Sequence, residues 1–494
     1  MSRILMRAGR SPFETAAPTD ILQRGLIAGN TGNLLFSDAI WKFLSTPGNQ
    51  ITPNRYRARA EEADRINDEY DLFVIPLANA LRPNFRGQLN QLSALVEKLD
   101  IPVVVFGVGT QAGMDGGTGH LAPIEADVRR FCSAVLDRSP SIGVRGEITE
   151  KYLKGLGFND VEIIGCPSMF THGRHLEVRK DPAGLSTTSR IAVNISYESG
   201  NIPGSDLDSE SLNRLMDAAL DRYPDLVYLG QERRDLELLH WGDLSVENQE
   251  RSPAPLVRSH RLLTEDRTRL YLDTPRWIEA LRDRDFAFGT RIHGNVAALL
   301  AGTPAVVLCH DSRTLELCRY FDIPHRLVSD LPSDGDLSLL PERLYEEADF
   351  TAMHTGHGER FDRLVSFMDR HGLEHVHGPD GDGGTAFEKE LKGVRHHPGV
   401  TAWRGGDDGD LGYRLVWLRQ ENARVKSRLS DTEKKARDLH KAAELHSKRN
   451  AELTAALKKA DKRLANLEKQ VRSTPYMRLR RLAGKILRRL GLRR

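Results

Sequence analysis

Asp285-Phe286-Ala287-Phe288-Gly289-Thr290-Arg291-Ile292-His293-Gly294-Asn295 runs from a short apolar strand through a glycine-flanked turn into a helix. The strand is expected to end at Gly289 and the helix to open near Asn295, which leaves Arg291 and His293 on the turn at the carboxyl end of a strand. A helix start presents unpaired amide donors and the positive end of its dipole, so such a turn favours anions. Arg291 adds a permanent fork-shaped cation, and His293 a group that exchanges a proton near neutral pH. Gly289 and Gly294 leave room for a ligand to approach the backbone. Arg-x-His alone is a short pattern, and an ion pair between Arg291 and a nearby carboxylate is the structural alternative.

The same strand, turn and helix recur outward from this stretch. Cys309-His310-Asp311-Ser312-Arg313 follows the apolar run 305–308 and leads into another helix. His310, Asp311 and Arg313 either line the same cleft or, in the case of Asp311 or Ser312, cap the helix. Upstream, Ser141-Ile142-Gly143-Val144-Arg145-Gly146-Glu147 repeats the pattern with Arg145 on the turn, and Gly29-Asn30-Thr31-Gly32-Asn33 feeds a helical run at 34–44. Short β-branched runs at 72–75, 101–106, 161–164, 191–195 and 226–229 alternate with amphipathic helical periods near 87–99, 124–136 and 147–156. Continuous apolar strands separated by helices predict parallel sheets covered on both faces. The alternation lapses between 171 and 190, which divides it into two Rossmann-like α/β domains, 1–175 and 190–372, with function expected at the carboxyl ends of their strands. Gly107-Val108-Gly109-Thr110-Gln111-Ala112-Gly113 has the wrong final spacing for a dinucleotide fingerprint, so NAD binding is not expected.

Residues 373–410 turn to Gly, Asp and His and read as a flexible linker. Seven of the 17 histidines lie in or beside it, and without cysteines or an ordered element among them they read as solvated side chains, so no metal site is expected. From 411 to 472 a heptad register places Leu415, Asn422, Leu429, Ala436, Ala443, Asn450, Leu457, Leu464 and Val471 at a, and Leu411, Leu418, Val425, Thr432, Leu439, His446, Leu453, Ala460 and Leu467 at d. That seam predicts a coiled coil and a parallel homodimer, with a single long helix folded back on the body as the alternative. After Pro475, residues 473–494 set Leu479, Leu482, Ile486 and Leu490 on one helical face among arginines. Nine Lys or Arg and no acid fall between 472 and 494, so the overall +2 divides into +9 for the tail and −7 for the rest. A basic amphipathic helix of this kind is expected on an anionic membrane surface, and nucleic acid is not expected, because no stacking aromatics are interleaved.

Composition bounds the rest. With 39% hydrophobic and 28% charged residues over 494 positions, and no apolar run long enough to span a bilayer, the chain reads as a soluble multidomain protein. Cys132, Cys166, Cys309 and Cys318 lack C-x-x-C spacing and read as small buried hydrophobes of a reduced, cytoplasmic protein.

The chain resembles the polysaccharide pyruvyl transferase family over roughly its first 330 residues. The resemblance is carried by Asn30-Thr31-Gly32-Asn33, by Val144-Arg145-Gly146-Glu147-Ile148-Thr149, and by Gly289-Thr290-Arg291-Ile292-His293-Gly294 through Ala301-Gly302-Thr303-Pro304 to His310-Asp311-Ser312-Arg313. It implies two Rossmann-type domains in a glycosyltransferase-B-like arrangement. It also implies transfer of pyruvate from phosphoenolpyruvate, the donor substrate, to a saccharide as a ketal in polysaccharide biosynthesis, with no resident cofactor. His293 is then the expected general acid, Arg291 the donor clamp and Arg145 a second contact, with Asn30, Gly32, Asn33, His310, Asp311 and Arg313 around the substrates. Asn33 and Cys166-Pro167 stand where many members carry Asp and Asp-Pro. A lipid-linked acceptor at the cytosolic face would give the tail a purpose. Because a fold never fixes a reaction by itself, a nucleotide-sugar glycosyltransferase and a noncatalytic membrane-tethered scaffold are the alternative readings.

Overall fold

The computed structural model describes residues 1–196, 209–242, 258–332, 336–405 and 408–491. They form two compact units, 1–404 and 405–494.

Among the described residues the first unit contains a four-stranded and a six-stranded parallel sheet and two two-stranded parallel pairs, one of them Asn79–Leu81 with Gly109–Thr110. In the amino-terminal half, β1 (Ser2–Met6), β2 (Asn49–Pro53), β3 (Leu72–Pro76) and β4 (Val103–Phe106) pair in the order β2-β1-β3-β4. The pair β5 (Ile142–Val144) and β6 (Val161–Ile163) extends this layer through the parallel bridge Val108 to Val144. Along β3, Leu72 and Val74 join one buried cluster while Phe73 and Ile75 join the other. Successive side chains point to opposite faces, so a strand covered on both sides must be apolar throughout.

The carboxyl-terminal half contains β7 (Ile191–Asn194), β8 (Leu226–Gly230), β9 (Thr268–Leu270), β10 (Phe286–Gly289), β11 (Ala305–Cys309) and β12 (His325–Leu327), all parallel, in the order β9-β8-β7-β10-β11-β12. The strand order reverses between β7 and β10, and in the other sheet between β1 and β3. Crevices of this kind at the carboxyl ends of strands are where open α/β sheets bind ligands.

The boundary expected near 372 is not where the body ends. The helix α5 (Thr351–Arg370), which follows the second sheet, lies on the first half: the rings of Phe367 and Phe106 sit 5.3 Å apart, and His371 Nε2 is 3.1 Å from the Ser141 carbonyl. Residues 373–404, expected as a flexible linker, are folded onto the same unit. Val376 N donates to Phe43 O at 2.8 Å, α6 (Thr385–Lys392) buries Phe387, and Val400 pairs antiparallel with Leu270 at the sheet edge. The histidines here are not uniformly solvated either, since His375 and His396 are buried. One apolar anchor every ten residues or so escapes a periodicity argument, yet four of them (Leu373, Val376, Phe387, Val400) suffice to pin the strap.

The second unit is helical: α7 (Asp408–Ser473) is continuous, and α8 (Pro475–Arg489) follows after an extended Thr474. Among the described residues no helix is long and apolar enough to cross a membrane. Gly406 and Asp407 of the expected linker, and Arg493 and Arg494 of the tail, lie outside the described residues.

Candidate functional site

A cavity of about 210 Å³ lies where the two strand-order reversals face each other, lined from one half by Arg7, Asn30, Asn33, Asn79 and Arg145 and from the other by Ser196, Glu232, Arg291, His293, His310 and Arg313.

β7 and β10 meet at its floor. The Asn194 carbonyl accepts from Thr290 N at 2.9 Å, and the Asn194 and Asn295 side-chain amides pair reciprocally at 3.2 Å. A Cβ on Gly289, whose φ is +153°, would sit 1.9 Å from Asn194 O, and one on Gly294 2.5 Å from Gln231 Nε2. These glycines therefore admit the protein's own neighbouring strand, not a ligand as the sequence suggested. The helix α3 (Ile292–Ala301) opens three residues earlier than expected, so His293 stands in its first turn.

Arg291 takes the structural alternative. Its Nε donates to Ile195 O at 3.0 Å, Nη1 to Glu232 Oε1 at 2.9 Å, and Nη2 lies 3.7 Å from Asp235 Oδ2. Burial opposes its charge, but Glu232, Tyr228 and Asp235 outweigh that and raise its pKa. Glu232 and Asp235 are themselves fixed by the capping box that opens the helix Arg233–Trp241. Arg291 thus lines the cavity with its cation already compensated.

Arg145 is the opposite case. It is 2% exposed, and its Nε and Nη2 are buried without a hydrogen-bond partner among the described residues. Burial pushes its pKa down; a guanidinium nevertheless stays protonated in proteins. Behind it, α2 (Glu147–Gly155) starts against Glu316, on α4 (Ser312–Phe321) of the other half. Glu316 Oε1 accepts from Thr149 N at 2.7 Å and Oε2 from Thr149 Oγ1 at 3.0 Å. The carboxylate occupies the anion position of this helix start, and burial pushes its pKa up to about 7 against those bonds and Arg145.

His293 keeps a partly exposed ring edge, but burial, reinforced by Arg145 and Arg313, pushes its pKa down to about 3. Its ring lies on Gly32, where a Cβ would come within 2.7 Å of Nδ1, and its Nε2 is 3.6 Å from Cys166 Sγ. Gly32 is therefore backing for the imidazole, not part of the cavity wall. Cys166 is buried as expected, but its contact with His293 gives the departure from Asp-Pro a location in the site itself.

The remaining residues divide by what holds them. Asn30 Oδ1 accepts from Gly32 N at 2.7 Å, and Asn33 Nδ2 donates to Ile27 O at 2.9 Å, so both amides shape their loop while facing the cavity. Asp311 does not reach the cavity, contrary to its expected place there. It caps α4 by accepting from Thr314 N at 3.0 Å and pairs with Arg313 Nε at 2.7 Å. Burial would raise its pKa, but Arg313, His310 and the Thr314 amide hold it well below the usual carboxylate range. His310 and Arg313 line the cavity beside it.

The sequence reading missed Arg7, Asn79 and Ser196. Arg7 and Ser196 follow the last residues of β1 and β7, and Asn79 follows β3; all three lie at the two reversals. Strand-end position alone could have flagged them, but the strand order that makes those ends converge was not visible. Arg7 lies over the Tyr56 and Phe85 rings at 5.0 and 5.8 Å.

No curated protein matches the chain. Among solved structures it is similar to UDP-GlcNAc 2-epimerase from Neisseria meningitidis bound to UDP-GlcNAc, at 12% identity over 74% of this chain and 100% of that one, TM-score 0.40. It is also similar to a functionally uncharacterised protein from Klebsiella pneumoniae subsp. pneumoniae NTUH-K2044, at 12% identity over 65% and 88% of the two chains, TM-score 0.33. The model of one sequence family matches residues 30–312, the span that holds the Arg145 and Arg291 turns, the Asn30–Asn33 loop and the helix start at His293, and the chain belongs to that family, polysaccharide pyruvyl transferase.

Proposed function

We propose that the chain transfers the pyruvyl unit of phosphoenolpyruvate to two hydroxyls of a saccharide, forming a ketal, in polysaccharide biosynthesis. The observation that carries this reading is Arg145, a buried guanidinium whose Nε and Nη2 have no hydrogen-bond partner among the described residues, on the wall of a cavity that also holds Arg313 and His293. Buried guanidinium N–H groups left without acceptors are costly, and a small anionic ligand removes the cost.

Arg145 then takes an anionic end of the donor, with Arg313, already paired with Asp311, as a weaker second contact, while Arg291 is a positioning residue that fixes the loop. This reverses the ranking of the two arginines expected from sequence. His293 delivers a proton to the donor's methylene carbon. With its pKa near 3 in the free protein, the imidazole is neutral; the incoming anion offsets the two guanidiniums and lets it take up a proton with the substrate. Protonation leaves a cationic carbon next to the carboxylate. One saccharide hydroxyl adds there and loses its proton to His293, restoring the proton given to the methyl group. Phosphate leaves, and the second hydroxyl closes the ketal, its proton leaving with phosphate. The sum is one donor and one diol to one ketal and hydrogen phosphate.

The test is phosphate release from phosphoenolpyruvate by the purified chain, expected only when a saccharide is present and lost in Arg145→Ala. Release of nucleoside diphosphate from a nucleotide sugar would replace this reading with glycosyl transfer, and neither activity would leave a scaffold.

The same reading pairs α7 with a second copy. Leu429, Leu439 and Leu457 on its seam are 58%, 71% and 67% exposed, and a mainly apolar a/d stripe, with Asn422 and Asn450 at a, is buried by a partner helix in register.

A further inference from the structure

α8 carries a different face from α7 and calls for a different partner. Ser473 ends α7, Thr474 is extended, and Pro475 restarts the helix at the position where its missing N–H costs nothing. Leu479, Leu482 and Ile486 follow at helical spacing, 69%, 61% and 52% exposed, with Tyr476 and Leu490 at the ends of the stripe. The rest of the helix holds Arg478, Arg480, Arg481, Lys485, Arg488 and Arg489 and no acid. Where α7 mixes both signs, this helix has uniform positive charge around an apolar stripe, and none of its residues is buried.

We propose that α8 lies in the plane of an anionic membrane surface, with the Leu479–Ile486 stripe in the acyl boundary and the guanidiniums among the headgroups. A second copy of the same helix would cover the stripe but set like charges against each other. A nucleic acid would neutralise the charges but leave the stripe in water, with Tyr476 alone to stack. Anionic lipid satisfies both. At 15 residues the helix is too short and too charged to cross. The inference does not depend on pyruvyl transfer, because it concerns a segment outside the cavity.

The test is co-sedimentation of the full chain with vesicles of phosphatidylcholine alone and of phosphatidylcholine mixed with phosphatidylglycerol. Partition onto the anionic vesicles is expected to be at least ~10-fold higher at low salt and to fall as salt is raised. Leu482→Glu with Ile486→Glu should bring it to the neutral-vesicle level, as should Arg480→Gln with Arg481→Gln and Lys485→Gln. All five side chains are exposed, so a thermal melt identical to the parent's shows that the fold is intact. Equal partition onto both vesicle types, undiminished binding by the Leu482/Ile486 variant, or binding to a random DNA duplex without binding to vesicles would each overturn the proposal.

Discussion

Residues 1–404 and 405–494 place their apolar side chains in opposite ways. In the first unit Phe288 and Leu364 are wholly buried; in the second, Leu439 is 71% and Leu479 is 69% exposed. Both regions are strongly periodic in sequence, so hydrophobic periodicity reports that a face exists and says nothing about what covers it. The body covers its own faces with its own helices. The long helices leave theirs for something else.

The sharpest break between the regions is in chemistry. His293→Ala is expected to lower saccharide-dependent phosphate release by ~10²–10⁴-fold, the range for loss of a general acid. Leu439→Ser on α7 should leave turnover of a soluble acceptor unchanged. Gly32→Ala, which puts a methyl against the imidazole, should fall with the first and not with the second. Full activity in His293→Ala would remove the assignment of proton transfer to this ring.

Stability gives the next largest contrast. Phe288→Ala empties a fully buried position in β10 and is expected to cost about 3–5 kcal/mol in urea unfolding. Leu439→Ala should leave the unfolding midpoint of the body where it was and weaken only self-association, measured by sedimentation equilibrium. A shift of the body's midpoint by the second change would mean that the helix belongs to its core.

This contrast also explains how much the sequence could tell. The strands β3, β4, β7, β10 and β11 were legible because a strand buried on both faces must be apolar at every position. Arg145, Arg291, His293, His310 and Arg313 were legible as residues because each follows a strand and leads into a helix, and all five line one cavity. Their relative roles were not legible. Nothing in Arg-x-His says that Glu232 and Asp235, some 60 residues upstream, take the guanidinium, or that Arg145 Nε and Nη2 are left without a hydrogen-bond partner among the described residues. The strap at 373–404 was hidden for a related reason: its few anchors act through distant partners such as Phe43 and Leu270.

The smallest expected effect concerns how the two halves of the body are held. Glu316 reaches from α4 to the first turn of α2, and its folded pKa of about 7 stands above the ordinary value of 4.5. A raised folded pKa means the native state keeps its proton longer than the unfolded chain. Its contribution is whole below about pH 4.5 and is lost as pH rises through 7, up to about 3 kcal/mol over that window. Urea unfolding at pH 5 and pH 8 should therefore show the body weakening with rising pH, and Glu316→Gln, which keeps an acceptor for Thr149 but cannot ionise, should flatten that slope. Equal slopes in both proteins would show that Glu316 is ionised throughout, with Arg145 as its counterion, and would remove the protonated carboxyl from this account of the two halves.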